Sequence, residues 1–151
     1  MVYGKQILDH YSSCLGSGKN SDRAIAMYQS KAGTISETGA VTTLTAPMLM
    51  AATSIAGEVC KDLIISEKVA SRIFIGVNLD GTTLPDQDSL QDAMRRIARS
   101  CWSRDEDAKE GEIIMSAINS AFQGANAANT AHDAALFMCT SMLGALDSLV
   151  L

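Results

Sequence analysis

The chain has 151 residues, a formal net charge of -5, 47% hydrophobic and 5% aromatic residues; this is the size of one domain, with enough apolar content to bury a core without a metal or cofactor. The acidic balance argues against sequence-independent nucleic-acid binding, which relies on Lys and Arg neutralising phosphates, and against an anionic membrane surface. Two prolines and eight methionines beside few aromatics favour helices over strands. The expected architecture is therefore all-α, a single bundle of about five or six helices over residues 1–151.

Taken in order, Ile7, Leu8, Tyr11, Cys14 and Leu15 form a helical stripe over Tyr3 to Leu15, broken by Gly16-Ser17-Gly18. Ser21 and Asp22 suit the cap of a second, shorter helix with Ala24, Ile25 and Tyr28 inward, and Thr34 to Thr43 reads as a loop. The strongest pattern lies in Thr45 to Glu67. Pro47 fits its first turn, and Met48, Ala52, Ile55, Val59 and Leu63 form a face widened by Leu49, Ala56, Cys60 and Ile64. Gly57 within that helix suggests close approach of a neighbour.

After Lys68, the apolar run Ile73 to Val77 predicts a short strand or a 3₁₀ turn, followed by turn chemistry at Asp80-Gly81 and Leu84-Pro85. Ser89 with Asp92 resembles a capping box for a fourth helix that buries Leu90, Met94, Ile97 and Cys101 and turns Arg95, Arg96 and Arg99 outward. Glu110 to Gln123 predicts a fifth, with Ile114, Ile118, Ala121 and Phe122 inside. Thr130 and Asp133 suit the cap of a sixth, in which Leu136, Cys139, Leu143, Leu146 and Val150 make a seam. That last helix is apolar almost all round, so it is expected to lie centrally against Thr45 to Glu67.

No apolar run reaches the length of about 18 residues that a spanning helix needs, so no transmembrane segment is expected. The N-terminal residues lack the basic region, apolar core and cleavage site of a signal peptide, which fits a cytoplasmic chain, a processed one or a segment of a longer protein. Cys14, Cys60, Cys101 and Cys139 show no CxxC spacing; two long-range disulfides are open to them, and spacing does not select among the three pairings.

Candidate chemistry is sparse. Gly16-Ser17-Gly18-Lys19 has the end of a phosphate-binding loop, but Ser13 replaces the first glycine and Asn20 follows the lysine. His10 with Cys14 and His132 with Cys139 have spacings that two metal ligands can use, yet buried or bridged cysteines are the simpler reading, and no metal or cofactor is expected. The pair His132-Asp133 lacks the further histidines of a metal phosphohydrolase. Asp80, Asp86 and Asp88 do not have EF-hand spacing, and capping is the better use of Asp86 and Asp88. Arg95, Arg96 and Arg99 form a candidate interaction surface, with neighbouring acids able to neutralise it; most of the methionines are expected to fill the core rather than line a partner groove. With no convergent acid, base and nucleophile, the expectation is that the protein is not an enzyme.

The segments PMLMAATSIAGEVCKDLI and AALFMCTSMLGALDSLVL resemble two parts of a helical, disulfide-containing module at the C-terminal ends of large secreted or surface proteins of Gram-negative bacteria. The matching residues are Cys60, Leu63 and Ile64 in the first and Cys139, Thr140, Leu143 and Gly144 in the second. The resemblance implies a periplasmic or extracellular setting and pairs Cys60 with Cys139; Cys14 and Cys101 fall outside its pattern, and a second bridge between them is part of the favoured reading. That reading is a non-catalytic domain that mediates assembly or adhesion through a protein partner or a second copy. Its alternative is a cytoplasmic or virion protein with reduced cysteines that self-assembles through the last helix.

Overall fold

The structure, a computed structural model, describes residues 4–16, 20–31 and 46–145. Six helices follow one another: α1 (Gly4–Leu15), α2 (Asp22–Lys31), α3 (Ala46–Val69), α4 (Gln87–Ile97), α5 (Ala108–Phe122) and α6 (Thr130–Leu143), with α4 running on into a π-helical turn at Ala98–Trp102. The fold class is all-α, and no strand occurs among the described residues. Tyr3, Ser17 to Lys19, the loop expected over Thr34 to Thr43, and Leu146 and Val150 of the expected seam lie outside the described residues.

The bundle is built around α3. Ala52, Ile55, Ala56, Val59, Cys60, Leu63 and Ile64 are buried on it, as the apolar spacing predicts, and α6, with Ala135, Met138, Cys139 and Met142 buried, makes the most extensive contact with it. α1 packs on α3 with Ile7, Leu8, Tyr11 and Leu15 buried. Ser21 caps α2 by accepting the Ala24 N–H at 3.2 Å, and Arg23 ties α2 to Asp62 of α3 at 3.1 Å. Ile25 is exposed rather than inward, because Ala24 is the residue on which α2 rests. Met94, Met115, Met138 and Met142 fill the core.

Gly57 does not mark a forced approach: a Cβ there would lie 3.9 Å from Thr140 Cγ2, ordinary contact. The tight point between α3 and α6 is Gly144, whose Cβ would come within 2.8 Å of Thr53 Oγ1 and 3.2 Å of the Thr140 carbonyl oxygen.

Of the strand or 3₁₀ turn expected at Ile73 to Val77, the strand is absent and a single turn forms, closed by the Val77 N–H donating to the Phe74 carbonyl at 3.2 Å with Gly76 at φ +79°. These residues bend around a buried carboxylate, since Glu67, 2% exposed, accepts the N–H groups of Arg72 at 2.6 Å and Ile73 at 2.7 Å. A side chain thus satisfies backbone donors that a strand would have given to a neighbour, and Phe74 enters the core. Lys68 reaches Asp80 at 2.8 Å, and the Gly81 carbonyl accepts the Ala131 N–H at 3.2 Å, fastening the connection to the start of α6.

The caps agree with the sequence only in part: Asp86 caps a helix as expected, but the capping boxes read at Ser89 with Asp92 and at Thr130 with Asp133 do not form. Asp86, not Ser89 with Asp92, opens α4, accepting Ser89 N–H at 3.0 Å and Ser89 Oγ–H at 2.6 Å; the hydroxyl bond is the main reason its carboxyl titrates below the usual range. Thr130 and Asp133 do not form a capping box. α6 begins at Thr130, whose hydroxyl turns back to Ala127, while Asp133 Oδ1 lies 3.1 Å from His132 Nδ1. α5 starts at Ala108 rather than Glu110 because Asp107 and Glu110 cap each other reciprocally. Its buried face runs through Met115 and Ile118 to Phe122, which meets Phe137 edge-on, and leaves Ala121 exposed.

Two stability outcomes follow. Glu67→Ala strands two N–H groups in a buried bend and should cost about 2–4 kcal/mol in urea unfolding, from two bonds to a charged acceptor and their desolvated donors; a cost below about 0.5 kcal/mol would contradict the anchoring role. Gly57→Ala has room for its methyl group and should raise stability by up to about 1 kcal/mol in the same assay, the usual helix-interior gain.

Candidate functional site

The four cysteines form two bridges. Cys60 on α3 and Cys139 on α6, 79 residues apart, are joined with their Cα atoms 5.9 Å apart. Both are fully enclosed, at 0% exposure. Cys14 near the end of α1 and Cys101 in the π turn, 87 residues apart, are joined at a Cα separation of 5.0 Å. No free cysteine remains among the described residues. Bridged sulfurs are not thiolate nucleophiles, and Cys14 and Cys139 belong to different bridges, so the spacing-based set of His10, Cys14, His132 and Cys139 is not assembled as metal ligands. Among the described residues no group of three or more His, Cys, Asp and Glu side chains is placed to hold a metal.

The acids of the α3–α4 connection have structural uses: Asp80 pairs with Lys68 and Asp86 caps α4. No helix among the described residues is long and apolar enough to cross a membrane.

The arginines expected on one outward face are divided between two hollows. Arg95 pairs with Glu106 at 3.1 Å beside an open groove of about 500 Å³ between α4 and α5, floored by Met94 and Met115 and lined by Gln91, Asp92, Glu112 and Asn119. Arg96 and Arg99 instead face a cleft of about 350 Å³ beside the Cys14–Cys101 bridge, where Arg72, Ser13 and Ser100 join them. Arg96 Nη1 donates to the Ile73 carbonyl at 2.8 Å, and Arg72 Nη2 donates to the Leu15 carbonyl at 3.4 Å. Arg99 is held by Asp105, Nε to Oδ1 at 2.5 Å, a bond that raises the affinity of the guanidinium for its proton and lowers that of the carboxyl.

Arg72 escapes a reading based on helical faces because it lies in an irregular connection and reaches the cleft through the bend at Glu67. Gly16, at φ +65°, is the sequence sign of its approach: a Cβ there would stand 2.5 Å from Arg72 Nη1.

A neighbouring cluster locks the turn into α5. Arg104 gives two N–H groups to Glu110, at 2.8 and 2.9 Å, and lies 5.1 Å from the centre of the Trp102 ring. The bonds from Arg104, with the Asp107 N–H next in importance, hold the Glu110 carboxyl down at about 2. These are capping and pairing interactions, and each shifted carboxyl at this end of the molecule has a structural partner that explains it.

Comparison with known protein families, curated protein sequences and solved structures finds no match.

Because the pKa of Glu110 is depressed in the folded chain, its ionised form stabilises the fold above the ordinary carboxyl range near 4.5, and that contribution fades as pH falls through about 2. The pair is partly exposed, so its worth after solvent screening is at most about 1 kcal/mol. Arg104→Gln should lower the urea midpoint by a constant amount between about pH 7 and 5, with the gap to the parent narrowing from about pH 4.5 towards 2. A gap that widened on acidification would contradict the assignment.

Proposed function

We propose that this chain is a non-catalytic structural and interaction domain of an exported or cell-surface protein, working in the periplasm or outside the cell in assembly or adhesion. The observation that carries the reading is the engagement of all four cysteines in two bridges that clamp sequence-distant helices. Such bridges persist in oxidising compartments and are uncommon in the cytosol, where thiols are kept reduced. The resemblance of the two segments around Cys60 and Cys139 to a module of large secreted Gram-negative proteins points the same way.

Catalysis has little support. The sulfurs are bridged, and the shifted carboxyls of Asp86, Asp105 and Glu110 cap helices or pair with arginines rather than converging on one reacting centre. Self-assembly through α6 is also poorly supported, because Met138, Cys139, Met142 and Leu143 are enclosed by the chain's own core.

Intact mass tests the setting. Protein taken unreduced from its native compartment should weigh about 4 Da less than the reduced chain, one hydrogen lost per thiol joined in two bridges, whereas four free thiols there would refute the export reading. Removing the buried bridge by Cys60→Ala with Cys139→Ala should reduce stability by about 4.5 kcal/mol, the loop-closure value for a separation of 79 residues.

A further inference from the structure

We infer that the cleft formed by Arg72, Arg96 and Arg99 beside the Cys14–Cys101 bridge is a binding site for a tetrahedral oxyanion, a phosphate or sulfate group. The inference goes beyond the proposed setting and does not depend on it.

The first support is charge. Arg72 and Arg96 have no carboxylate within ion-pair distance among the described residues: their guanidinium bonds go to the neutral carbonyls of Leu15 and Ile73. Asp105 offsets Arg99. Glu67 does not line the cleft, but its buried carboxylate accepts the backbone N–H groups of Arg72 and Ile73 and so offsets a second of the three positive charges. The carbonyl end of α1 removes about half a charge more. A small positive excess of about half a charge remains at the cleft, in a chain whose net charge is -5.

The second support is donor geometry. A guanidinium carries five N–H groups in a planar fork, a shape suited to oxyanions. One N–H of Arg96 is fixed on the Ile73 carbonyl at 2.8 Å, which restrains its half-buried fork, while exposed Arg72 is tethered more loosely to the Leu15 carbonyl at 3.4 Å and keeps most of its donors free. Ser13 and Ser100, both exposed, add hydroxyls to the lining.

The third is rigidity. The lining comes from three segments distant in sequence: the end of α1, the bend after α3 and the π turn after α4. The Cys14–Cys101 bridge joins the first to the third, and the Arg96 bond to Ile73 joins the second to α4. Arg99 and Ser100 belong to the π turn, a distortion that recurs at functional sites and here displaces the chain from the α-helical path where it meets the cleft. Arg72 and Arg99 are exposed, but Arg99 is paired with Asp105 and Arg96 is half-buried and bonded to Ile73, which lowers the ordering cost of binding below that of untethered surface arginines.

Titration of the oxidised full chain with inorganic phosphate, followed by amide and arginine side-chain NMR at constant ionic strength, tests the inference. Saturable shifts centred on Arg72, Arg96 and Ser100 are expected, with sulfate matching phosphate and acetate binding more weakly. Arg72→Gln and Arg96→Gln should each weaken binding by about tenfold, as loss of a charge-assisted bond implies. Arg95→Gln, in the other groove, should leave it unchanged. Unfolding curves of each variant separate a folding defect from a binding defect. Linear, non-saturating shifts, or equal effects of Arg95→Gln and Arg96→Gln in folded protein, would overturn the site. An Arg96→Lys variant that retains charge without the fork should recover only part of the affinity; full loss in a folded Arg96→Gln with full recovery in Arg96→Lys would show a diffuse charge effect and also overturn it.

Discussion

The packing of α3 against α6 is the constraint on which the remaining elements depend. Each of these helices carries an apolar surface too broad for solvent, and each covers the other, with Cys60 and Cys139 bonded at the middle of the contact. Apolar burial at about 25 cal/mol per Å² supplies the drive, while the covalent bridge raises the free energy of the unfolded chain by closing a long loop. Gly144 lets the end of α6 come up to Thr53, so the two helices converge where side-chain bulk would otherwise separate them. α1, α2 and α4 are then placed by what this pair leaves uncovered.

Around that centre the irregular segments are held by individual polar side chains rather than by regular ladders. Glu67 organises the bend after α3, Asp86 opens α4, and Asp107 with Glu110 opens α5. Each satisfies backbone N–H groups that would otherwise be left without partners. The same economy places the arginines. Arg72 and Arg96 close backbone carbonyls and, in doing so, are brought to one side of the Cys14–Cys101 bridge.

The helices were legible because apolar periodicity is a local signal. Residues such as Ile55, Leu63, Met94 and Ile118 fall on the faces that their spacing indicates, and all are buried. The segment Ile73 to Val77 was legible only as a choice, since an apolar run of that length suits a strand or a turn, and the turn is favoured where Glu67 on the preceding helix takes up the backbone N–H groups of Arg72 and Ile73. Caps were partly legible. Ser21 acts as its position suggests, and the Asp107–Glu110 spacing could have been recognised, but at α6 the competing bond from Thr130 to Ala127 overrides the local motif. The cleft was the least legible feature. Arg96 and Arg99 are neighbours in sequence, but Arg72 joins them only through tertiary folding, with the glycine at Gly16 as its single local trace.

The order of the bridged cysteines has a topological consequence. Cys14 pairs past Cys60 to reach Cys101, and Cys60 pairs past Cys101 to reach Cys139, so the two covalent loops interleave. A single backbone cut at any point between Cys14 and Cys139 therefore leaves the two resulting pieces attached through at least one bridge, and a cut between Cys60 and Cys101 leaves them attached through both. Among proteases, the chain can be nicked once without being divided.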